Sequence, residues 1–147
     1  MASATATLNR RGTSEIYIGG AGDTRTRLVA AYAEARQRDF AHEAHHDAHY
    51  FPHYALRRIL NLARQHADAG RTLILVGHSW GGDTALRVLK ALQPRRVDLL
   101  VCVDPVPKSR LNPPPTPRNA RRIIHVDARP SHPNRSDQVK EMGQWFG

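Results

Sequence analysis

Residues 73–82 read Leu-Ile-Leu-Val-Gly-His-Ser-Trp-Gly-Gly, an apolar run that ends in Gly-x-Ser-x-Gly and passes directly into a stretch with helical spacing. A strand turning sharply into a helix is the arrangement that motif requires. A serine hydroxyl is a poor nucleophile in water. To be useful it must be held exposed, beside a base, and next to backbone N–H groups that can receive a developing oxyanion. Gly77 and Gly81 lack a Cβ, so the backbone can fold tightly around Ser79 and adopt the strained dihedrals of such a turn. A larger residue at either position should damage it.

The rest of the chain supplies strands and helices in alternation. Glu15–Ile18 is a β-branched and aromatic run ending at Gly19-Gly20-Ala21-Gly22-Asp23, which predicts a first strand and a glycine-rich turn. From Thr24 to about Asp39, Leu28, Ala31, Tyr32 and Ala35 fall at helical spacing with arginines opposite, predicting an amphipathic helix that buries those four. Residues 45–51 read as a strand ending before Pro52. Leu56, Ile59, Leu60 and Ala63 mark a helix that stops near Gly70, and Thr72–Val76 is the strand leading into the turn at Ser79.

Beyond that turn, Ala85, Val88, Leu89 and Leu92 share a helical face, and Pro94 ends the helix. Val97–Val103 is an almost unbroken apolar run, the pattern of a parallel strand covered by helices on both sides. Six prolines between residues 105 and 118 exclude helix and strand there. Arg122–Val126 gives another strand, residues 130–134 a turn, and Val139, Met142 and Trp145 a closing helix. The expected fold is therefore α/β: a mostly parallel sheet of about five strands with helices on both faces. At 147 residues the chain fits a flexible segment over residues 1–13 and one domain over 14–147.

Gly77-His78-Ser79-Trp80-Gly81-Gly82 after an apolar strand, with Ile18-Gly19-Gly20-Ala21-Gly22 ending the first strand, resembles the α/β-hydrolase superfamily of lipases, esterases and thioesterases. The order of elements agrees over about residues 14–147. The resemblance implies a compact core in which Ser79 is the nucleophile and the N–H of Trp80 one oxyanion donor. A second donor would come from Gly20 or Ala21. Two acids stand at strand ends, Asp104 and Asp127, where ligands of open α/β sheets gather. The family more often uses the second position and some of its lipases the first. We favour Asp104, whose strand is expected to lie closest to Ser79.

In the family the catalytic histidine follows a last strand, and this chain is expected to end before one. Either His132, on a loop after both acids, has taken the role, or the base belongs to a C-terminal part outside this sequence. His125 lies within a strand, where burial is expected, and His78 should point away from the serine. His53, just past a strand end, is placed to line the mouth of the site. His42, His45, His46 and His49 would share one face of a helix at spacings that can bind a transition metal, but scatter over both faces of a strand. The strand reading is preferred, so no metal and no cofactor are expected.

Formal net charge is +9, from 22 Lys and Arg against 13 acids, with arginine pairs at 10–11, 57–58, 95–96 and 121–122. That surface favours anionic partners such as lipid headgroups or coenzyme A esters. The pairs are dispersed and not interleaved with aromatics, so no specific nucleic-acid binding is expected. No apolar run is long enough to span a membrane, and no signal-peptide pattern is visible, which predicts a cytoplasmic protein as synthesised. Cys102, the only cysteine, excludes an internal disulfide. Two functions follow as expectations. One is a serine hydrolase for carboxylic esters or thioesters; the other is a catalytically incomplete protein on the same scaffold that binds an acidic partner. Oligomeric state is not legible.

Overall fold

The computed structural model describes residues 11–113 and 117–128. Five strands form one sheet: β1 (Thr13–Gly19), β2 (His46–Pro52), β3 (Thr72–His78), β4 (Val97–Val103) and β5 (Ala120–Val126), ordered β2-β1-β3-β4-β5. Every neighbouring pair is parallel. Between them lie α1 (Asp23–Thr26), α2 (Leu28–Asp39), α3 (Leu56–Asp68) and α4 (Trp80–Leu92). The fold class is as the sequence predicts, an α/β domain on a five-stranded parallel sheet. No helix among the described residues is long and apolar enough to cross a membrane.

Strand order decides which face each helix covers. The step from β1 to β2 runs one way along the sheet, and the steps β2 to β3 and β3 to β4 run the other. Right-handed crossovers therefore lay α2 on one face and both α3 and α4 on the opposite face. On the α3/α4 face, Ile16, Ile18, Leu73, Leu75, Leu100 and Cys102 pack against Ile59, Ala63, Ala85, Val88, Leu89 and Leu92, all fully buried. Each large aliphatic side chain buried there contributes roughly 1.5–3 kcal/mol. The face of α4 is the one its spacing predicts.

The other face departs from expectation in two ways. Strand β4 is covered on one side only among the described residues, because only one connection steps toward β2. Its alternate residues Leu99, Val101 and Val103, with Ile74, Val76 and Tyr17, floor a groove of about 600 Å³ walled by Leu28, Val29 and Tyr32. Helix α2 also buries Ala30 and Ala33 instead of the predicted stripe, leaving Leu28 71% and Tyr32 56% exposed. Small alanines let α2 sit close over β1 and β2, and its larger side chains face the open groove. The predicted single helix is broken at Arg27, whose φ of 54° is left-handed. Asp23 repairs the break by accepting hydrogen bonds from the N–H groups of Val29 (2.8 Å) and Ala30 (3.3 Å) at the start of α2.

His125 is exposed, correcting the expected burial, as are Ile123 and Val126 beside it. Strand β5 is at the sheet edge, with α4 centred over its neighbours. The expected turn at 130–134 and the helix with Val139, Met142 and Trp145 lie outside the described residues.

Beneath α2, the carboxylate of Glu15 is buried. It accepts hydrogen bonds from Arg36 Nη2 (2.6 Å), Arg36 Nε (3.0 Å) and the Tyr17 hydroxyl (2.7 Å), and it meets His46 Nε2 at 3.0 Å. Burial alone would raise its pKa, but those partners hold it down at about 2. A carboxylate depressed in the folded state stabilises the protein fully above its unfolded pKa, and loses that contribution as pH falls toward the folded value. The shift is worth about 3 kcal/mol. Urea unfolding of the wild type should therefore lose stability of that order between roughly pH 5 and pH 2. Glu15→Gln should be destabilised at pH 7, with a flatter profile across that window. An unchanged acid limb in the variant would rule this group out as its source.

Candidate active site

Ser79 lies between the last residue of β3 and the first of α4, with φ 54° and ψ −123°. A non-glycine residue held there stores about 1–3 kcal/mol of strain. The neighbours make the turn possible. A Cβ on Gly77 would come within 2.3 Å of the Gly81 carbonyl oxygen, and one on Gly81 within 2.2 Å of the Ile18 carbonyl oxygen. The turn is also clamped to the exit of β4. Ser79 N–H donates to the Val103 carbonyl (2.9 Å), and the Ser79 carbonyl accepts from Gly82 N–H (2.9 Å) and Val106 N–H (3.1 Å).

The turn after β1 meets the serine directly. A Cβ on Gly20 would stand 2.8 Å from the Ser79 Cβ and 3.3 Å from its Oγ, so only backbone fits between them. Ala21, next in line, is exposed. Ser79 thus faces peptide groups from the end of β1 and the first turn of α4, the positive end of the helix dipole. The half-buried Trp80 sets its indole edge-on to His53, ring centroids 5.1 Å apart. Trp80 Nε1 and His53 Nδ1 are both buried without a hydrogen-bond partner. Burial, and then the positive charge of Lys108, push the His53 pKa down. Lys108 Nζ donates to the His53 carbonyl at 2.9 Å, tying the loop after β4 to the end of β2.

Both candidate acids stand at the same end of the sheet. His78 pairs with Val103, so Asp104 follows β4 one strand from Ser79; Val103 pairs with Val126, so Asp127 follows β5 two strands away. At about 4.8 Å per strand, Asp104 is the nearer. Its backbone is left-handed (φ 43°), and its Oδ1 accepts from Ala128 N–H at 2.7 Å. His132, the candidate base, lies outside the described residues. His78 points into the groove on the α2 face, and Ser79 is not among the residues lining that groove. The histidine run is not a helix: His46 and His49 belong to β2, while His42 and His45 precede it.

Asp83 was not singled out in the sequence, yet it positions this end of the molecule. Its carboxylate is buried in the first turns of α4, paired with Arg87 Nε (2.6 Å), and accepts from Lys108 N–H (3.0 Å). It thereby holds the proline-rich loop that leaves Asp104. The i,i+4 spacing of Asp83 and Arg87 was the available signal.

A parallel sheet with a strained serine turn at a strand end, crowded by glycine backbone, defines a protein of the α/β-hydrolase type. The family model described as the alpha/beta hydrolase fold matches residues 20–129, and the chain belongs to that family. No curated protein and no solved structure matches it.

Crowding at the turn makes a stability test. Gly81→Ala should cost at least ~3 kcal/mol or prevent folding, because its methyl group would meet fixed backbone. Gly22→Ala, where nothing lies within 4 Å of the added carbon, should fall within about 0.5 kcal/mol of wild type. Equal melting temperatures for the two variants would contradict the close approach.

Proposed function

We propose that the protein is a serine hydrolase that cleaves carboxylic esters or thioesters through an acyl-enzyme. The observation that carries this reading is the backbone of Ser79, strained at the β3–α4 turn with the β1 turn pressed against its side chain. Strain of that kind persists where surrounding structure enforces it, and it lifts a hydroxyl out of a regular element. Membership of the hydrolase-fold family supports the same reading.

In the proposed reaction Ser79 Oγ attacks the carbonyl carbon as a histidine takes the hydroxyl proton. His132 is our candidate for that histidine. The oxyanion is bound by the N–H of Trp80 and by that of Gly20 or Ala21. The histidine then gives its proton to the departing alkoxide or thiolate, and water releases the acyl group by the same steps in reverse roles. Asp104 orients the imidazole, and Asp127 is the alternative. Exposed Arg57, Arg58, Arg121 and Arg122 favour substrates with an anionic group, such as acidic lipids or coenzyme A esters.

A fluorophosphonate probe should label folded protein at Ser79, and Ser79→Ala should abolish labelling and lower kcat/KM on an aryl ester at least ~10³-fold. Asp104→Ala should lower kcat/KM by roughly 10³–10⁴-fold, and Asp127→Ala by less than about tenfold. The reverse order would assign the acid to Asp127. Folded protein that does not label at Ser79 would overturn the hydrolase reading in favour of a binding protein on this scaffold.

A further inference from the structure

Beneath the C-terminal end of α3, three side chains that the hydrolase reading does not use converge from distant parts of the chain. Asp47 and His49 project from β2 toward α3, and His66 comes down from the last turn of that helix. One ligand-type atom from each lies within 4.8 Å of the other two. Strand β2 leaves the sheet's C-terminal end, where Ser79 sits, only after Pro52. The cluster therefore occupies the half of the sheet away from Ser79.

Asp47 Oδ1 and His49 Nε2 approach to 3.2 Å, and both atoms are buried, yet neither has a hydrogen-bond partner. They are close without the alignment a hydrogen bond needs. Two buried polar atoms left without hydrogen bonds cost free energy unless a third body satisfies both. Ligand atoms around a tetrahedral ion at ~2.1 Å stand ~3.4 Å apart, close to the 3.2 Å between this pair.

Each side chain is also held from behind. Arg71 Nη1 donates to Asp47 Oδ2 at 2.8 Å, which fixes the carboxylate and leaves Oδ1 facing inward. His66 Nδ1 meets the Ser14 hydroxyl at 2.5 Å, which fixes the ring and leaves Nε2 as its remaining donor atom. Such outer hydrogen bonds orient metal ligands and set their basicity. His66 lies at the negative end of the α3 dipole, which favours a cation.

We propose that Asp47, His49 and His66 form a binding site for a divalent transition-metal ion of the zinc class. Two imidazoles and one carboxylate select such an ion over calcium or magnesium, which take oxygen ligands. Arg71 opposes hard cations held by charge alone and leaves bonding to the imidazoles as the main attraction. With three protein ligands, a water completes the coordination. The ion ties the edge strand β2 to α3 and satisfies the two unpartnered atoms. Its role is structural and independent of acyl transfer.

The test uses the full chain, stripped with a chelator and titrated with Co²⁺ and then Zn²⁺. One equivalent of Co²⁺ should give the visible d–d absorption of a tetrahedral site, and Zn²⁺ should displace it. Zinc at about 100-fold over its Kd should raise the melting temperature by roughly 5 °C or more. His49→Ala and Asp47→Asn, checked for folding by circular dichroism, should each weaken Zn²⁺ binding at least tenfold and lose the Co²⁺ spectrum. His42→Ala and His45→Ala, at exposed positions, should retain both. Absence of a Co²⁺ spectrum and of a zinc-dependent shift in wild type would overturn the site. So would a folded His49→Ala variant that binds as wild type does, since the ion would then be held by other histidines. Fluorophosphonate labelling of Ser79 should be the same with and without zinc, which separates this outcome from that of the hydrolase reading.

Discussion

The handedness of the crossovers, acting on one reversal of direction, organises this molecule. From β1 the chain steps toward β2, and from β3 it steps toward β4, although β1 and β3 are neighbours. The connections leaving these two strands must diverge to opposite faces, which opens a crevice between their C-terminal ends. Gly20 follows one strand and Ser79 the other. The contact that a Cβ on Gly20 would make with Ser79 is therefore a consequence of topology, and the glycine is the condition for the crevice to close onto the serine. The same reversal leaves one face of β3 and β4 without a helix among the described residues, since α2 is the only helix sent to that side.

Within that frame the turn at Ser79 is kept in its strained form by backbone hydrogen bonds. Val103, Gly82 and Val106 bind both peptide groups of the serine, and the loop carrying Val106 is itself held by the buried Asp83. Strain, clamp and loop form one chain of dependence that runs from α4 through residue 108 back to the end of β2. His53 is the meeting point: its carbonyl receives both Thr84 Oγ1 (2.6 Å) and Lys108 Nζ, while its ring packs on Trp80. His53 is thus held by α4, by the loop after β4 and by the serine's neighbour Trp80.

Much of this was legible where the signal is local. The apolar run into Gly77, the serine and the following helix all lie within one contiguous segment, so its strand, turn and helix could be read together. Strand ends were equally clear, which placed Asp104 and Asp127 at the correct edge, and the β3–β4–β5 pairing has the expected order, with the strand before Asp104 next to that of Ser79. Helix α2 was misread because alanines at 30, 31, 33 and 35 occupy several of its faces. Spacing cannot say which alanine meets the sheet when the large residues are free to border a groove. His66 was missed although it continues the stripe of Ile59 and Ala63 by one helical step. A histidine on an apolar stripe signals a buried partner, and Ser14 and Asp47, far away in sequence, were invisible to any local pattern.

The two ends of the sheet then differ for a common reason. Parallel strands joined by helices give every helix the same polarity relative to the sheet, so positive N-termini collect at the end where the strands finish and negative C-termini at the end where they begin. The first end, beside Ser79 at the start of α4, favours negative charge. The second, beside His66 in the last turn of α3, favours positive charge. Residue types follow that field. The unpartnered polar atoms at the serine end include the Trp80 indole nitrogen, a donor by its chemistry, whereas those at the opposite end include a carboxylate oxygen of Asp47, an acceptor. Orphaned donors call for an anion or a carbonyl and orphaned acceptors for a proton or a metal, so the polarity of the fold and the chemistry left unsatisfied at each end point to ligands of opposite sign.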